Sequence, residues 1–429
     1  MTRILWKRNE PGDAGGSVCR FKSLMAAVLL CAVLLALLPP PTACAQDEGA
    51  RRIAVASDLH LDPDNTDKSL ETEVVYSPEL VDALLWDARE QGAEMILLTG
   101  DLVNGGKPHR HAALAEKLRQ AEADGLPVYV VPGNHDLAPI TQTEFAECYA
   151  AFGYDEAYSR DASSLSYCIK KDGLMLLMMD TAGYSVSAIN LPDAPQRSNM
   201  DAFFTEETLA WAESMLQEAQ EEGLLVFSAG HYNLLPEISH QPGSGYCLEN
   251  ADRFAQLLRD YGVPLHLSGH MHTRAVYQED GLTELLTEYL LGYPTGYSLL
   301  DFTDDEIRFT PRRIDVDAWA RETQQTDPVL LNFAEWQQEE LYRYAVSNVS
   351  YMSTRNPISE KEQAQAAGFF FTVMDNFWRG TLCDMRDAVK KMEGYEPFFR
   401  CAEGYAYGWW LKDLIDSASP LLRGFTLER

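Results

Sequence analysis

Basic residues are in short supply. Lys and Arg total 35 against 65 Asp and Glu, which leaves a formal charge of −30 over 429 residues. A surface of that sign does not neutralise phosphates, so a nucleic-acid polymer is excluded as a partner. A small anionic substrate is not excluded, because a bound cation reverses the local field. Cysteine is also thin. The eight cysteines lie at 19, 31, 44, 148, 168, 247, 383 and 401, and no two form a CxxC pair. That rules out a dense disulfide framework and a zinc ribbon. Only Cys383 and Cys401 are near enough in sequence to suggest a bridge within one helical region. Repeats and low-complexity linkers are missing, and the longest apolar run, 23–38, falls short of the ~20 residues of a spanning helix.

That run has another reading. MTRILWKR and CRFK place positive charge ahead of SLMAAVLLCAVLLALL, and PPPTACAQ follows. This is the layout of a secretory signal, with Ala43-Cys44-Ala45 as the small-residue cleavage pattern and a mature start near Gln46. Cys44 offers lipoprotein processing as a second route, although Pro41 stands where leucine is usual. An uncleaved signal anchor is the third. Each predicts that 46–429 is exported: secreted, at the cell surface, or membrane-anchored on the extracytoplasmic side through the anchor or an N-terminal lipid.

Hydrophobic residues at 46% supply a packed core. From 53 to about 270 short apolar runs alternate with amphipathic stretches: IAVAS, then 77–92; EMILLTGD, then 111–125; LPVYVVPGN, then 141–153; LMLLMMD, then 205–223; LLVFSAGH, then 249–262; VPLHLSGH. Near-continuous apolar strands between helices predict an α/β domain whose sheets are buried on both faces. SLLDFTDDEIRFT reads as a hairpin. After about 316 strand alternation gives way to aromatic-rich helical stretches. The expected organisation is a signal segment at 1–45, an α/β domain at 46–315 and a helical subdomain at 316–429.

The strands end in a telling way. The first runs into Asp58-Leu59-His60, the second into Asp101, the third into Gly133-Asn134-His135-Asp136, a later one into His231, and the last into His270-Met271-His272. Any one of these is an ordinary turn. Together they hold five of the chain's nine histidines. In open α/β sheets the ligand crevice lies outside the carboxyl ends of the strands, so these residues converge. Asp58 and His60 are two apart, which on an extended chain puts them on one side. Carboxylate, imidazole and amide donors suit borderline divalent ions such as Mn, Fe, Zn or Ni. Seven candidates, Asp58, His60, Asp101, Asn134, His231, His270 and His272, are too many for one ion with an open position. They suit a two-ion site of the kind used for in-line displacement at phosphorus.

In this order and at these intervals, D-x-H, G-D, G-N-H-D, G-H and G-H-x-H resemble the calcineurin-like metallophosphoesterases. The resemblance implies an αββα two-sheet sandwich and a dinuclear centre. Asp58, His60, Asp101 and His272 would hold one ion; Asp101, Asn134, His231 and His270 the other, with Asp101 bridging. His135 would face the leaving-group oxygen or the phosphoryl group, and Asp136 would orient it. Gly133 would permit the sharp turn between them. GDLVNGGKPHRH and YPTGYSLLDF resemble segments of exported bacterial class III cyclic-nucleotide phosphodiesterases. That branch often carries His-His where this chain has His231-Tyr232.

The expected activity is therefore hydrolysis of a small phosphoester by a metal-bridged hydroxide, with cyclic nucleotides or similar diesters ahead of a broad phosphomonoesterase or nucleotidase. A non-catalytic exported binding protein is the remaining alternative. His111 and Arg274 are candidate substrate contacts. No protein partner is expected.

Overall fold

The computed structural model describes residues 50–67, 73–137, 139–182, 202–235 and 247–428. The proposed signal segment and the Gln46 start lie outside them. No helix among the described residues is long and apolar enough to cross a membrane.

Residues 51–429 form one compact unit built around two sheets. In the first, β1 (Arg51–Ala56) lies between β2 (Met95–Thr99), its parallel neighbour, and β11 (Gly296–Phe302), its antiparallel one. β3 (Val128–Val131) extends the sheet beyond β2, and β12 (Glu306–Arg313) beyond β11. The second sheet runs β4 (Ser159–Arg160), β5 (Tyr167–Lys171), β6 (Leu174–Met178), β7 (Leu225–Ala229), β8 (Leu265–Ser268), β10 (Leu282–Leu286), β9 (Ala275–Glu279). Its middle strands, β6, β7, β8 and β10, pair in parallel.

The sheets pack face to face. Phe227 and Phe302 meet with ring centroids 5.4 Å apart, and Tyr167 Oη donates to the Val130 carbonyl at 2.8 Å. Helices cover the outer faces. On the first sheet, helix Ser77–Glu90 sends Asp87 to accept from Tyr297 Oη at 2.8 Å and from Arg312 Nε at 3.0 Å. On the second, Leu209, Leu216, Phe254 and Leu258 from helices Glu206–Glu222 and Ala251–Asp260 join Met175, Leu177 and Val226 in one apolar cluster. The αββα sandwich expected from the sequence is the fold observed.

Two hairpins escaped the periodicity reading, β5–β6 and β9–β10. Both turn on Asp-Gly pairs in left-handed conformations, Asp172-Gly173 and Asp280-Gly281. Such pairs are a hairpin signal in their own right. The helical region contains Phe333–Ser353 and Glu360–Trp378, and Phe369, Phe370 and Phe398 are fully buried in its core. It is not helical to its end. Phe425–Glu428 returns as β13 and pairs antiparallel with β12. Cys383 and Cys401 are free thiols.

Candidate metal centre

The strand ends do converge, though not by alternation. β1 stops at Ala56, and Asp58 and His60 both adopt left-handed backbone angles, with φ of 52° and 42°. Asp101 (49°), His270 (65°) and His272 (54°) do the same. A left-handed β-carbon is disfavoured by about 1–2 kcal/mol, and such residues concentrate at functional sites. Five of the seven candidates therefore leave the extended conformation that strand alternation assumes.

Two groups result. Asp58, His60, Asp101 and His272 form one, and Asp101, His231 and His270 the other, with donor atoms in each group within 4.8 Å of one another. Asp101 belongs to both. Its Oδ2 is 3.4 Å from His60 Nε2 and its Oδ1 is 3.4 Å from His231 Nε2. Asn134 Oδ1 lies 3.1 Å from His231 Nε2, which adds the amide to the second group.

These residues fit divalent cations, and the hydrogen bonds show why. His231 Nδ1 lies 2.9 Å from the Thr99 carbonyl, an acceptor, which places the ring proton on Nδ1. The Nε2 lone pair then points at two more acceptors, Asn134 Oδ1 and Asp101 Oδ1. Asp58 Oδ1 is buried without a hydrogen bond, although His272 Nε2 is only 3.1 Å away. His60 Nε2 and His272 Nε2 face each other at 3.2 Å. Converging acceptors of this kind call for positive charge. Proton affinities say the same. Burial lowers His231, but Asp101 and Asp58 overcome it and raise the imidazole to about 9. Burial raises Asp58, yet His272, His60 and His231 hold its carboxyl well below the usual range.

Glycine precedes Asp101, Asn134, His231 and His270. Gly133 shows the reason. Its φ is not left-handed; rather, a β-carbon there would sit 2.2 Å from Asp101 N and 2.3 Å from Asp101 Oδ1. Close approach, not a sharp turn, requires glycine here.

Three expectations change. The Asp136 carboxylate accepts from the backbone N–H groups of Leu102 (3.1 Å), Val103 (3.0 Å) and Gly133 (2.8 Å). It fastens the Asp101 loop to the Asn134 loop instead of orienting the His135 ring. His111 is buried, with Nδ1 on Tyr149 Oη at 2.9 Å and Nε2 on the Asp136 carbonyl at 3.0 Å, so both nitrogens are committed away from the crevice. Arg274 is buried against Glu288, donating from Nε at 3.0 Å and from Nη2, while Nη1 donates to the Trp378 carbonyl at 3.1 Å. Neither residue has a group left for substrate. His135 does: its side chain is 40% exposed, its ring meets His60 edge-on at 4.8 Å, and its Nε2 is 4.0 Å from Asp101 Oδ2.

Sequence reasoning missed Tyr289, whose ring stacks on His272 at 4.4 Å and 11°. It also missed Glu284, whose buried carboxylate accepts from Leu234 N, Leu235 N and Ser268 Oγ, joining the His231 loop to the end of β8. Tyr232 is fully buried and packs on His270 at 4.1 Å, so it is a wall of the second group.

The sequence profile of calcineurin-like phosphoesterases matches residues 51–274, just over half of the chain. The chain belongs to that family. A second profile, the C-terminal domain of cyclic nucleotide phosphodiesterase, matches 315–417. A probable glycerophosphodiester phosphodiesterase of Arcobacter nitrofigilis is 25% identical over 182 residues, 42% of this chain and 56% of that protein. The chain thus spans little more than half the length of this curated relative. Among solved structures, a dimetal phosphatase from Danio rerio has 16% identity and a TM-score of 0.49, covering 62% of this chain and 96% of that one. The purple acid phosphatase PPD1 from yellow lupin has 14% identity and a TM-score of 0.41, covering 62% and 51%.

Proposed function

We propose that this phosphoesterase hydrolyses small phosphodiesters, cyclic nucleotides among them, with two divalent ions, and that it acts after export. The observation that carries the chemistry is the convergence of Asp58, His60, Asp101, Asn134, His231, His270 and His272 into two groups that share Asp101. Asp58, His60, Asp101 and His272 would hold one ion, and Asp101, Asn134, His231 and His270 the other. Bound there, divalent ions supply Lewis acidity toward phosphoryl oxygens and a water acidified to near neutrality.

The chain's own residues do the rest. Asp101, shared by both groups, holds them in register. His135 stands free at the rim. Burial lowers its pKa, and His60, His231 and His272 lower it further against the pull of Asp101. It therefore meets substrate as a neutral imidazole that donates one N–H to the leaving-group oxygen. Asp136 keeps the His135 loop fixed on the Asp101 loop.

Preference for a diester rests on the C-terminal profile match and on the diesterase relative. Export rests on the charge and apolar pattern of 1–45. The test is hydrolysis of bis-p-nitrophenyl phosphate against p-nitrophenyl phosphate by metal-stripped protein reloaded with Mn. Chelator-sensitive turnover favouring the diester is expected. A monoester preference would overturn the diester assignment, and turnover indifferent to chelator would overturn the metal chemistry.

A further inference from the structure

Among the candidate ligands His272 is held differently. A metal-binding histidine ordinarily fixes its ring through a hydrogen bond from the other nitrogen, as His231 does on the Thr99 carbonyl. His272 Nδ1 is buried with no hydrogen-bond partner. What lies against its ring is Tyr289, nearly parallel and 4.4 Å away. The same tyrosine meets His60 edge-on at 5.3 Å.

The tyrosine is itself anchored. Its chain neighbour Glu288 is the partner of Arg274, and Arg274 is two residues beyond His272. Two short segments are thus paired twice, Arg274 with Glu288 and His272 with Tyr289. Both members of the ion pair are almost fully buried. Gly296 makes room for it, since a β-carbon there would sit 2.4 Å from Glu288 Oε1. The helical region closes the far side. Trp378 gives its carbonyl to Arg274, Asp375 accepts from Tyr293 Oη, and Gln337 donates to the Gly292 carbonyl at 3.1 Å. Three contacts from two helices therefore grip the stretch around Tyr289 and its partner arginine.

We propose that Tyr289, fixed by the Arg274–Glu288 pair and through it by the C-terminal helices, is the positioning residue for His272 and sets the affinity of the Asp58–His60–Asp101–His272 site selectively. The proposal rests on the dinuclear reading. It gives the helical region a task at the metal centre.

The test is calorimetric titration of metal-stripped full-length protein with Mn. Wild type is expected to bind two ions in resolvable steps. Tyr289→Leu should weaken one step by roughly 10–100-fold, as loss of an outer partner of a metal ligand does, and leave the other unchanged. Tyr289→Phe keeps the stacked ring and should restore both steps. The double variant Arg274→Met/Glu288→Met removes the pair without leaving a buried unpaired charge, and should reproduce the selective loss. Equal weakening of both steps, or no change in Tyr289→Leu, would overturn the positioning role. Wild type binding fewer than two ions would bring down the dinuclear reading first, and this proposal with it.

Discussion

Asp101 Oδ1 accepts the backbone N–H of His135 at 2.8 Å. The carboxylate common to both groups of candidate ligands therefore also fixes the backbone of His135, the residue proposed to meet substrate. On that proposal, metal binding and substrate contact are joined at one side chain.

Asp101→Asn should remove ions from both groups and abolish turnover. The loss should exceed the roughly 10–100-fold typical of outer-shell partners. Asn134→Ala and His231→Ala should lose metal and activity together, with the Asp58 group less affected. Metal content by mass spectrometry alongside turnover checks all three. Full activity of Asp101→Asn with one ion bound would contradict the shared role.

His135→Ala should keep both ions and lose turnover by about 10²–10⁴-fold, the usual contribution of a positioned proton donor. The loss should grow with the basicity of the leaving group. A series of aryl and alkyl phosphodiesters measures it. A loss independent of leaving group would move His135 from the leaving oxygen to the phosphoryl oxygens.

Gly133→Ala should damage the site, because its β-carbon would collide with Asp101 N and Oδ1. Gly105→Ala is the matched control. Gly105 has φ of +75° but open space around the added carbon, so it should cost only about 1 kcal/mol of stability and leave activity alone. Comparing kcat/KM and urea midpoints of the two variants separates collision from backbone strain.

Two buried histidines should make the fold acid-sensitive. Burial pushes His266 down to about 3 and His111 down to about 4, the latter against the Asp136 and Gly106 carbonyls. Unfolded histidines take up protons near 6.5. Between there and the folded values the unfolded chain binds more protons, so stability is full above about pH 6.5 and falls as pH drops toward 4. His111 alone would contribute about 3 kcal/mol over that window. Asp136, raised to about 7 by burial and Asp101, acts in the opposite sense in both proteins, so urea unfolding at pH 7.5, 6.5, 5.5 and 4.5 should show a steeper loss toward acid in wild type than in His111→Gln. An unchanged slope in the variant would refute the assignment.

Much of this centre was legible because each candidate follows a buried strand, and strand ends of one α/β domain gather at one edge. Gly-Asp, Gly-Asn-His-Asp and Gly-His-Met-His carry their own position. The misreadings have one physical cause. His111 and Arg274 were assigned to the crevice from their nearness in sequence to Asp101 and His272, but burial and hydrogen bonding decide where a side chain goes. Their partners, Tyr149 for His111 and Glu288 with Trp378 for Arg274, lie up to about a hundred residues away. Tyr289 was invisible for the same reason. No local pattern marks an aromatic whose task is to lie flat on a histidine from another loop. The left-handed geometry of Asp58, His60, Asp101, His270 and His272 was equally hidden, since non-glycine residues adopt it only when tertiary contacts compel them.

The placement of β1 between β2 and β11 has a consequence for the order of assembly. The central strand meets its parallel neighbour early in synthesis, but its antiparallel neighbour begins at Gly296. Asp58, His60, Asp101 and Asn134 are all made before His231, His270 and His272, which come from the other sheet. An ion gripped by the full set of residues would therefore report that residues of both sheets have come together. A chain cut short before His231 carries only half of a claw.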